Sequence, residues 1–377
     1  MKKILITFLF ILLYVSSTIS VIAESEIITD AQSAILIEIT TGKILYQKNA
    51  HEMRAPASMT KIMTMTLILE AIENEQFSFD DLHTVSEHAA SMGGSQIWLE
   101  EGEVMSVRDM FKSVAIVSAN DSATSLAEKV SGSEAIFVDL MNQRVKELGL
   151  STTEFKDPTG LTSEGHYSSA YDMAIMARNL ILKYPVVLDF TNIYDDNIRN
   201  GDSWLVNTNK LVRHDDIDGL KTGWISPQSG YCLTATKFND SMRVIGVLMG
   251  STSSKTRNAE MLTLLNYGMS NYNLENELPK GEIVKEYENI FLQPTNIDFK
   301  LKDPVNIVLR NGTDKGLVTY NIEVDYDNLI SGKNIGHMNV MYNGKQTQTI
   351  PLVVDTPIVK AKYLQVVLKI AKKLIGI

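Results

Sequence analysis

The stretch Ala55-Pro-Ala-Ser-Met-Thr-Lys-Ile-Met-Thr-Met-Thr66 sets a serine, Ser58, three residues before a lysine, Lys61, just after Pro56. Proline is tolerated in the first turn of a helix, where its missing N–H costs nothing. The run that follows, Ile62 to Ile72, is apolar and free of Gly and Pro, so it reads as a largely buried helix. Residues three apart on a helix share a face, which brings the Lys61 amine within reach of the Ser58 hydroxyl. A serine is a poor nucleophile until a neighbouring base takes its proton. A lysine can be that base once desolvation or a nearby cation lowers its pKa from ~10.4. The helix N-terminus adds positive partial charge and free N–H groups where an oxyanion would form. A Ser-x-x-Lys pair arises by chance about once in a chain this long, so its weight comes from what surrounds it.

Two further short motifs follow in order. Ser118-Ala-Asn120 stands where a helical pattern over Val107 to Val117 ends, and Asp121 opens another helix to about Val130. Lys221-Thr-Gly223 comes after the segment Val206 to Gly219. It precedes two strand-like runs, Gly230 to Thr236 and Met242 to Leu248, joined around Asn239-Asp240. Upstream, Ser33 to Asn49 alternates apolar and polar residues about Gly42, the pattern of a β-hairpin. Asp80 to Gly102 is irregular and polar. Phe137 to Leu148 reads as an amphipathic helix stopped by Gly149, and Asp157-Pro-Thr-Gly160 as a turn. Ser169-x-x-Asp172 reads as a capping box before a helix to about Lys183. Asn258 to Tyr272 closes the region as a helix. Strands therefore open and close the segment while helices fill it, which predicts a sheet built from both ends with helices packed on it.

Beyond Pro279 the pattern changes to short alternating segments, with Arg310-Asn-Gly-Thr313 and Tyr342-Asn-Gly-Lys345 as hairpin signals. The last twenty residues change again. Thr356-Pro357 reads as an N-cap and first-turn pair. On a helical wheel Lys362, Gln365, Lys369, Lys372 and Lys373 share one face, and Tyr363, Val366, Val367, Ile370 and Leu374 the other, with Lys360 off the pattern. Such a basic amphipathic helix lies in a membrane interface.

The N-terminus, Met1-Lys-Lys3 followed by the apolar run Ile4 to Val15 and then Val21-Ile-Ala23, has the layout of a secretory signal peptide cleaved after Ala23. The formal net charge of the 377 residues is −10. The first 23 residues carry Lys2 and Lys3 and no acid, so the remainder stands near −12. Nucleic acid, which needs a basic face, is not an expected partner. The six histidines show no His-Glu-x-x-His spacing, so no metal and no cofactor are expected. The lone cysteine, Cys232, lies in a strand-like run and reads as a buried small hydrophobe. An exported chain of this size without disulfides suits a bacterium.

Ser58-x-x-Lys61, Ser118-x-Asn120 and Lys221-Thr-Gly223 in this order form the active-site signature of penicillin-recognising serine enzymes. With Arg54 to Thr64, His166-Tyr-Ser-Ser-Ala-Tyr-Asp172 and Asp218-Gly-Leu-Lys-Thr-Gly223, the chain resembles the low-molecular-mass penicillin-binding proteins. These are serine-type D-alanyl-D-alanine carboxypeptidases. The resemblance implies an α/β (α+β) serine β-lactamase/penicillin-binding transpeptidase-like domain, an antiparallel sheet with packed helices, followed by a small all-β domain and a C-terminal amphipathic helix. The expected divisions are 1–23 signal peptide, 24–276 catalytic domain, 277–356 β-sandwich and 357–377 anchor helix. The site would face outward from the bacterial cytoplasmic membrane, tethered to its anionic surface by residues 358–377.

The resemblance further implies that Ser58 attacks the penultimate D-alanine carbonyl of peptidoglycan pentapeptide stems, forms an acyl-enzyme, and is acylated by β-lactam antibiotics. Lys61 would be the general base. Ser118 and Lys221 would relay protons to the leaving amine, with the Lys221 charge helping to hold Lys61 neutral. Asn120 would bind the substrate amide and orient Lys61. The backbone N–H groups of Ser58 and Trp224 would form the oxyanion hole. Gly223 belongs to the same substrate-binding strand, and Thr222 and Arg257 would hold the terminal carboxylate. Relatives often carry histidine or threonine at the position of Trp224. A class A β-lactamase would share the motifs but would need a Glu-x-x-Leu-Asn loop between Asn120 and Lys221, and neither Glu154 nor Glu164 has that context. A transpeptidase differs only in its acceptor. A catalytically silent peptidoglycan- or penicillin-binding module is disfavoured because every catalytic position holds the expected residue type.

Overall fold

In the computed structural model of the chain, which describes residues 27–161, 164–313, 315–326, 329 and 335–375, strand β1 (Ser33–Glu38) is buried along its whole length. Its alternating side chains divide between two cores. Ile35 and Ile37 join one apolar cluster, while Ala34 and Leu36 join another on the opposite face. The expected signal peptide, residues 1–23, lies outside the described residues.

The hairpin partner β2 (Ile44–Lys48) turns back through Gly42, at φ +73°. Strands β5 (Ile217–Gly223), β6 (Tyr231–Phe238) and β7 (Arg243–Ser251) come from the far end of the segment. The five form one antiparallel sheet in the order β2-β1-β7-β6-β5. Helix α6 (Ser254–Asn271) covers one face through Met261, Leu264 and Leu265. The other face carries α1 (Lys61–Glu73), α2 (Val107–Ile116), α3 (Asn120–Ser131), α4 (Glu134–Glu147) and α5 (Ala170–Lys183). The hydrophobic residues of α1 are buried all round, which accounts for the continuous apolar run in its sequence. Between α5 and β5 lies a small hairpin, β3 (Asp195–Ile198) and β4 (Ser203–Val206), whose Ile198 and Leu205 join the core beneath the helices.

Ser169 caps α5 by accepting from the Asp172 N–H. The reciprocal half of the expected capping box is absent. The Asp172 carboxylate turns instead to the hydroxyls of Thr152 and Thr153 and the Thr152 N–H.

Strand β8 (Tyr272–Leu278) runs on from α6 and pairs with β12 (Val305–Arg310). The β-rich unit thus begins its hydrogen bonding at Tyr272, ahead of the boundary expected at 277. Its five-stranded sheet takes the order β9-β11-β15-β14-β13, from Ile283–Glu288, Asn296–Leu301, Lys345–Val353, Gly336–Tyr342 and Val318–Val324. Phe299, Leu301, Val340 and Leu352 lie in its core. The Tyr342-Asn-Gly-Lys345 hairpin is present. Arg310-Asn-Gly-Thr313 is not a hairpin. It ends β12, and the next strand, β13, pairs with β14 in the other sheet. Asn-Gly sets a tight turn but cannot say which sheet the following strand joins.

The C-terminal helix α7 spans Tyr363–Leu374, so Thr356-Pro357 does not start it. Ile358 is buried in the β-unit's core, and Val359–Lys360 pairs with Leu292–Gln293 as a short ladder. The chain is therefore extended through these residues. Lys362 becomes the N-cap, its N–H bonded to Gln365 Oε1 at 2.8 Å.

Candidate active site

Ser58 sits in a 3₁₀ turn, Ala57–Thr60, that leads into α1, and Lys61 is the first residue of the α-helix. The α-helical start expected at Pro56 is tightened into a 3₁₀ turn, but side chains at i and i+3 eclipse there, so the pair still meets. Lys61 Nζ stands 3.3 Å from Ser58 Oγ. It donates to Asn120 Oδ1 at 2.6 Å and to the Thr159 carbonyl at 2.8 Å. A neutral amine has two N–H donors and one lone pair. With both donors taken by Asn120 and Thr159, the lone pair is left on the Ser58 side, where a general base needs it.

Asn120 opens α3, and its amide is held at both ends. Oδ1 accepts from Lys61, and Nδ2 donates to the Gly93 carbonyl at 2.7 Å. Its backbone N–H donates to the Ser95 carbonyl at 2.7 Å. Ser118, two residues earlier, is in the left-handed region at φ +66°. Its Oγ is buried without a hydrogen-bond partner among the described residues. An unsatisfied buried hydroxyl calls for an explanation.

The end of β5 passes against the nucleophile turn. A Cβ at Gly223 would lie 2.8 Å from the Pro56 carbonyl oxygen and 3.3 Å from the Ser58 nitrogen, so only glycine allows this approach. Lys221 Nζ donates to the Thr222 carbonyl at 3.1 Å, and Thr222 Oγ1 donates to Thr208 Oγ1 at 2.8 Å. Trp224 follows, stacked on Tyr231 with ring centroids 6.0 Å apart. Arg257, in the first turn of α6, is buried and donates to the Cys232 carbonyl and to Asn258 Oδ1.

The site is a buried cluster of cations. Burial pushes the Lys61 amine down to about 7, with Asp157 and Asp121 opposing. Burial also drives Lys221 well below the ordinary lysine range, and the neighbouring Lys61 and Arg257 add to that. Arg257 falls to about 10, again through burial. Lys61 has two nearby acids to steady a proton, whereas the groups acting on Lys221 are both cations. The neighbouring cations favour the neutral form of Lys221, and an anion bound beside it would favour the charged form. The Cys232 thiol is pushed up to about 11 by burial, which leaves it protonated and inert.

The structure thus gathers Ser58, Lys61 and Asn120 by direct contact, brings Gly223 against the Ser58 backbone, and couples Lys221 to Lys61 and Arg257 through charge. Four groups were missed in the sequence. The Thr159 carbonyl holds Lys61 from the Asp157-Pro-Thr-Gly160 turn, and Asp157 Oδ1 shapes that turn by accepting from the Thr159 and Gly160 N–H groups at 2.7 Å. Gly160 presses on the nucleophile turn so closely that a Cβ there would meet the Ala57 oxygen at 1.9 Å. His166 Nε2 lies 2.8 Å from Thr60 Oγ1 and braces the same turn. The available signal was the Asp-Pro-Thr-Gly tetrapeptide, which reads as a tight turn shaped by its acid and its glycine.

Two family models match the chain. One is described as D-alanyl-D-alanine carboxypeptidase and matches residues 20–253. The other is the C-terminal domain of penicillin-binding protein 5 and matches residues 272–360. A Bacillus subtilis protein, D-alanyl-D-alanine carboxypeptidase DacF, is 42% identical across 97% of this chain and 96% of its own length. Among solved structures, penicillin-binding protein 5 from Haemophilus influenzae superposes with a TM-score of 0.78 at 29% identity, covering 88% of this chain and 98% of that one. Penicillin-binding protein D2 from Listeria monocytogenes, solved with ampicillin bound, has a TM-score of 0.58 at 30% identity, covering 63% of this chain and 97% of that one.

Proposed function

Because the chain belongs to the D-alanyl-D-alanine carboxypeptidase family, as a serine-type peptidase with a penicillin-binding fold, we propose that it removes the terminal D-alanine from peptidoglycan pentapeptide stems through an acyl-enzyme on Ser58. Lys61 takes the Ser58 proton as Oγ attacks the penultimate carbonyl carbon. The N–H groups of Ser58 and Trp224 receive the oxyanion. The C–N bond to the terminal D-alanine then breaks, and its nitrogen receives a proton by way of Ser118 and Lys221. Water, deprotonated by Lys61, cleaves the ester and frees Ser58. β-Lactams acylate the same serine.

Lys221, Thr222 and Arg257 face the substrate's free carboxylate in this reading. That anion would favour the charged form of Lys221, and the Lys221 charge would help hold Lys61 neutral. The observation that carries the proposal is the Lys61 amine, with both donors engaged and its remaining direction on Ser58 Oγ. Mass spectrometry after incubation with penicillin tests it. A single adduct is expected on Ser58 and none on a folded Ser58→Ala protein. A penicillin adduct on folded Ser58→Ala would sink the assignment.

We also propose that α7 ties an exported protein to the outer face of the cytoplasmic membrane. No helix among the described residues is long and apolar enough to cross a membrane. The helix rests on the β-unit by its basic side, with Lys369 Nζ donating to the Leu292 carbonyl at 2.6 Å and Lys373 paired with Glu288 at 3.0 Å. Its apolar side chains are left outside, with Tyr363 86% and Leu374 81% exposed. An apolar stripe turned away from its own protein suits the interface of a lipid surface.

A further inference from the structure

The chain has three tryptophans, and all stand exposed: Trp98 at 75%, Trp204 at 68% and Trp224 at 49%. Indole rings are normally well buried. We infer that Trp98 and Trp204 form an aromatic platform at the rim of the catalytic site that stacks on sugar rings of a glycan-linked substrate. This rests on the carboxypeptidase reading above and deepens it, because it assigns a site for the polymer that carries the stem peptide.

The backbone at Trp98 carries the argument. Its φ is +60°, a left-handed conformation that is a genuine outlier for a bulky residue. The conformation is imposed from both sides. The buried Asp121 carboxylate accepts from the N–H groups of Ile97 and Leu99, each at 3.1 Å. Arg199 donates to the Ile97 carbonyl at 2.8 Å and to the Trp98 carbonyl at 3.3 Å. A strained residue over-determined by its neighbours, with its side chain left largely in solvent, points to a ligand rather than to packing.

The same contacts join the hairpin that bears the second ring to the loop that bears the first. Arg199 lies in the turn between β3 and β4, itself at φ +54°. It grips Glu103 with two hydrogen bonds, of 2.8 and 3.1 Å. The loop bearing Trp98 and the hairpin bearing Trp204 are thus clamped together. Trp204 is in turn steadied by its Nε1–H donating to Asp195 at 3.2 Å.

Each loop is also tied to a catalytic motif. Gly93 and Ser95, on the Trp98 loop, accept hydrogen bonds from Asn120. The Trp204 hairpin runs on to Thr208, whose hydroxyl meets that of Thr222. The platform is therefore indexed to the two walls of the site.

Its chemistry selects the ligand. Indole faces suit the apolar C–H faces of pyranose rings, and the indole edge can also hydrogen-bond. Asp196 is paired with Lys112 at 2.7 Å and Glu103 with Arg199 at 2.8 Å, so Glu100, Glu101 and Asp202 leave the surrounding loops acidic on balance, which disfavours anionic polymers and anionic lipid. Neutral N-acylated amino sugars meet both conditions.

The test uses Trp98→Gly, which suits the left-handed backbone, and Trp204→Ala, separately and together in the mature chain. D-Alanine release is measured on disaccharide-linked pentapeptide and on the free acyl-D-Ala-D-Ala peptide. The ratio of kcat/KM for the glycan-linked over the free substrate should fall about tenfold in the double variant, through KM, as expected for loss of ring stacking. Titration with stem-free glycan oligomers should shift tryptophan emission in the wild type and not in the double variant. An unchanged ratio, or an equal loss on both substrates, overturns the proposal. If the wild type releases no D-alanine from either substrate, the carboxypeptidase reading has failed and the glycan titration decides. A response keeps the platform, and a silent titration assigns the rings to a protein partner and overturns it.

Discussion

Lowering the pH through neutrality should switch off acylation of Ser58 by protonating Lys61. Burial takes this amine from 10.5 to about 7, against the pull of Asp157 and Asp121. At pH 7 an ordinary lysine is neutral in about one molecule in 3,000, and one with a pKa of about 7 in about half. The fold therefore supplies on the order of 10³ in available base before any chemistry begins. Because the neutral amine is the active form, the second-order rate constant for acylation by penicillin should be level above about pH 8. It should fall about tenfold per pH unit below about pH 6. The rate is read by mass spectrometry of the adduct on the full mature chain from about pH 5 to 9, with circular dichroism reporting the fold at each pH. The same shift enters stability. Between about 7 and 10.5 the unfolded chain keeps a proton on Lys61 that the folded chain has lost. Burial of this residue is then most destabilising below pH 7, by on the order of 5 kcal/mol, and the penalty fades as pH rises toward 10.5. An acylation rate indifferent to pH, or one with its midpoint near 10, would refute Lys61 as the neutral base.

Three other outcomes are expected. Gly160→Ala should cost about 3 kcal/mol or more in chemical denaturation, because its Cβ would overlap the Ala57 oxygen at φ +78°; Gly102→Ala, at φ +77° with nothing within 4 Å, isolates the backbone part, and equal losses would remove the clash argument. Arg257→Ala should raise KM about tenfold or more for peptides ending in D-Ala-D-Ala, from the loss of a charge-assisted hydrogen bond of ~1.5–3 kcal/mol, and far less for amidated peptides; an equal effect on both denies Arg257 the carboxylate. Ending the chain after Lys362 keeps Ile358 in its core and the short Val359–Lys360 ladder, so activity on soluble peptides should persist while sedimentation with anionic vesicles, driven by the outward apolar side chains, is lost. Val366→Glu with Ile370→Glu should release the full chain in the same way, and a truncated protein that still sediments would return the helix to its own surface.

Much of this molecule was legible because its signals are local. The hairpin about Gly42, the buried helix after Lys61 and the strands around Asn239 each declare themselves within a dozen residues, through a period or a turn. Errors arose where a local signal had a non-local answer. Arg310-Asn-Gly makes a turn, but β12 is claimed by β8 and β13 by β14. Thr356-Pro357 resembles a helix start, but Ile358 is taken into the β-unit's core and the next two residues into a ladder with Leu292–Gln293. Asp172 has the spacing of a capping box, yet its carboxylate goes to Thr152 and Thr153.

The sequence by itself determined the order of the three motifs and the family, since nucleophile, base and relay residue types at fixed spacing are written in the chain. Tertiary structure alone decided the chemistry's working values. The Thr159 carbonyl that orients Lys61 is a backbone atom 98 residues away, and any residue type would offer one. The amine's pKa of about 7 is set by burial, against the pull of Asp157 and Asp121, which are remote in sequence and near in space. Whether two buried amines and a guanidinium stand close enough to neutralise one another depends on how β5 and α6 pack beside the nucleophile turn. Desolvation and charge coupling depend on distance in space, and spacing along the chain does not report it.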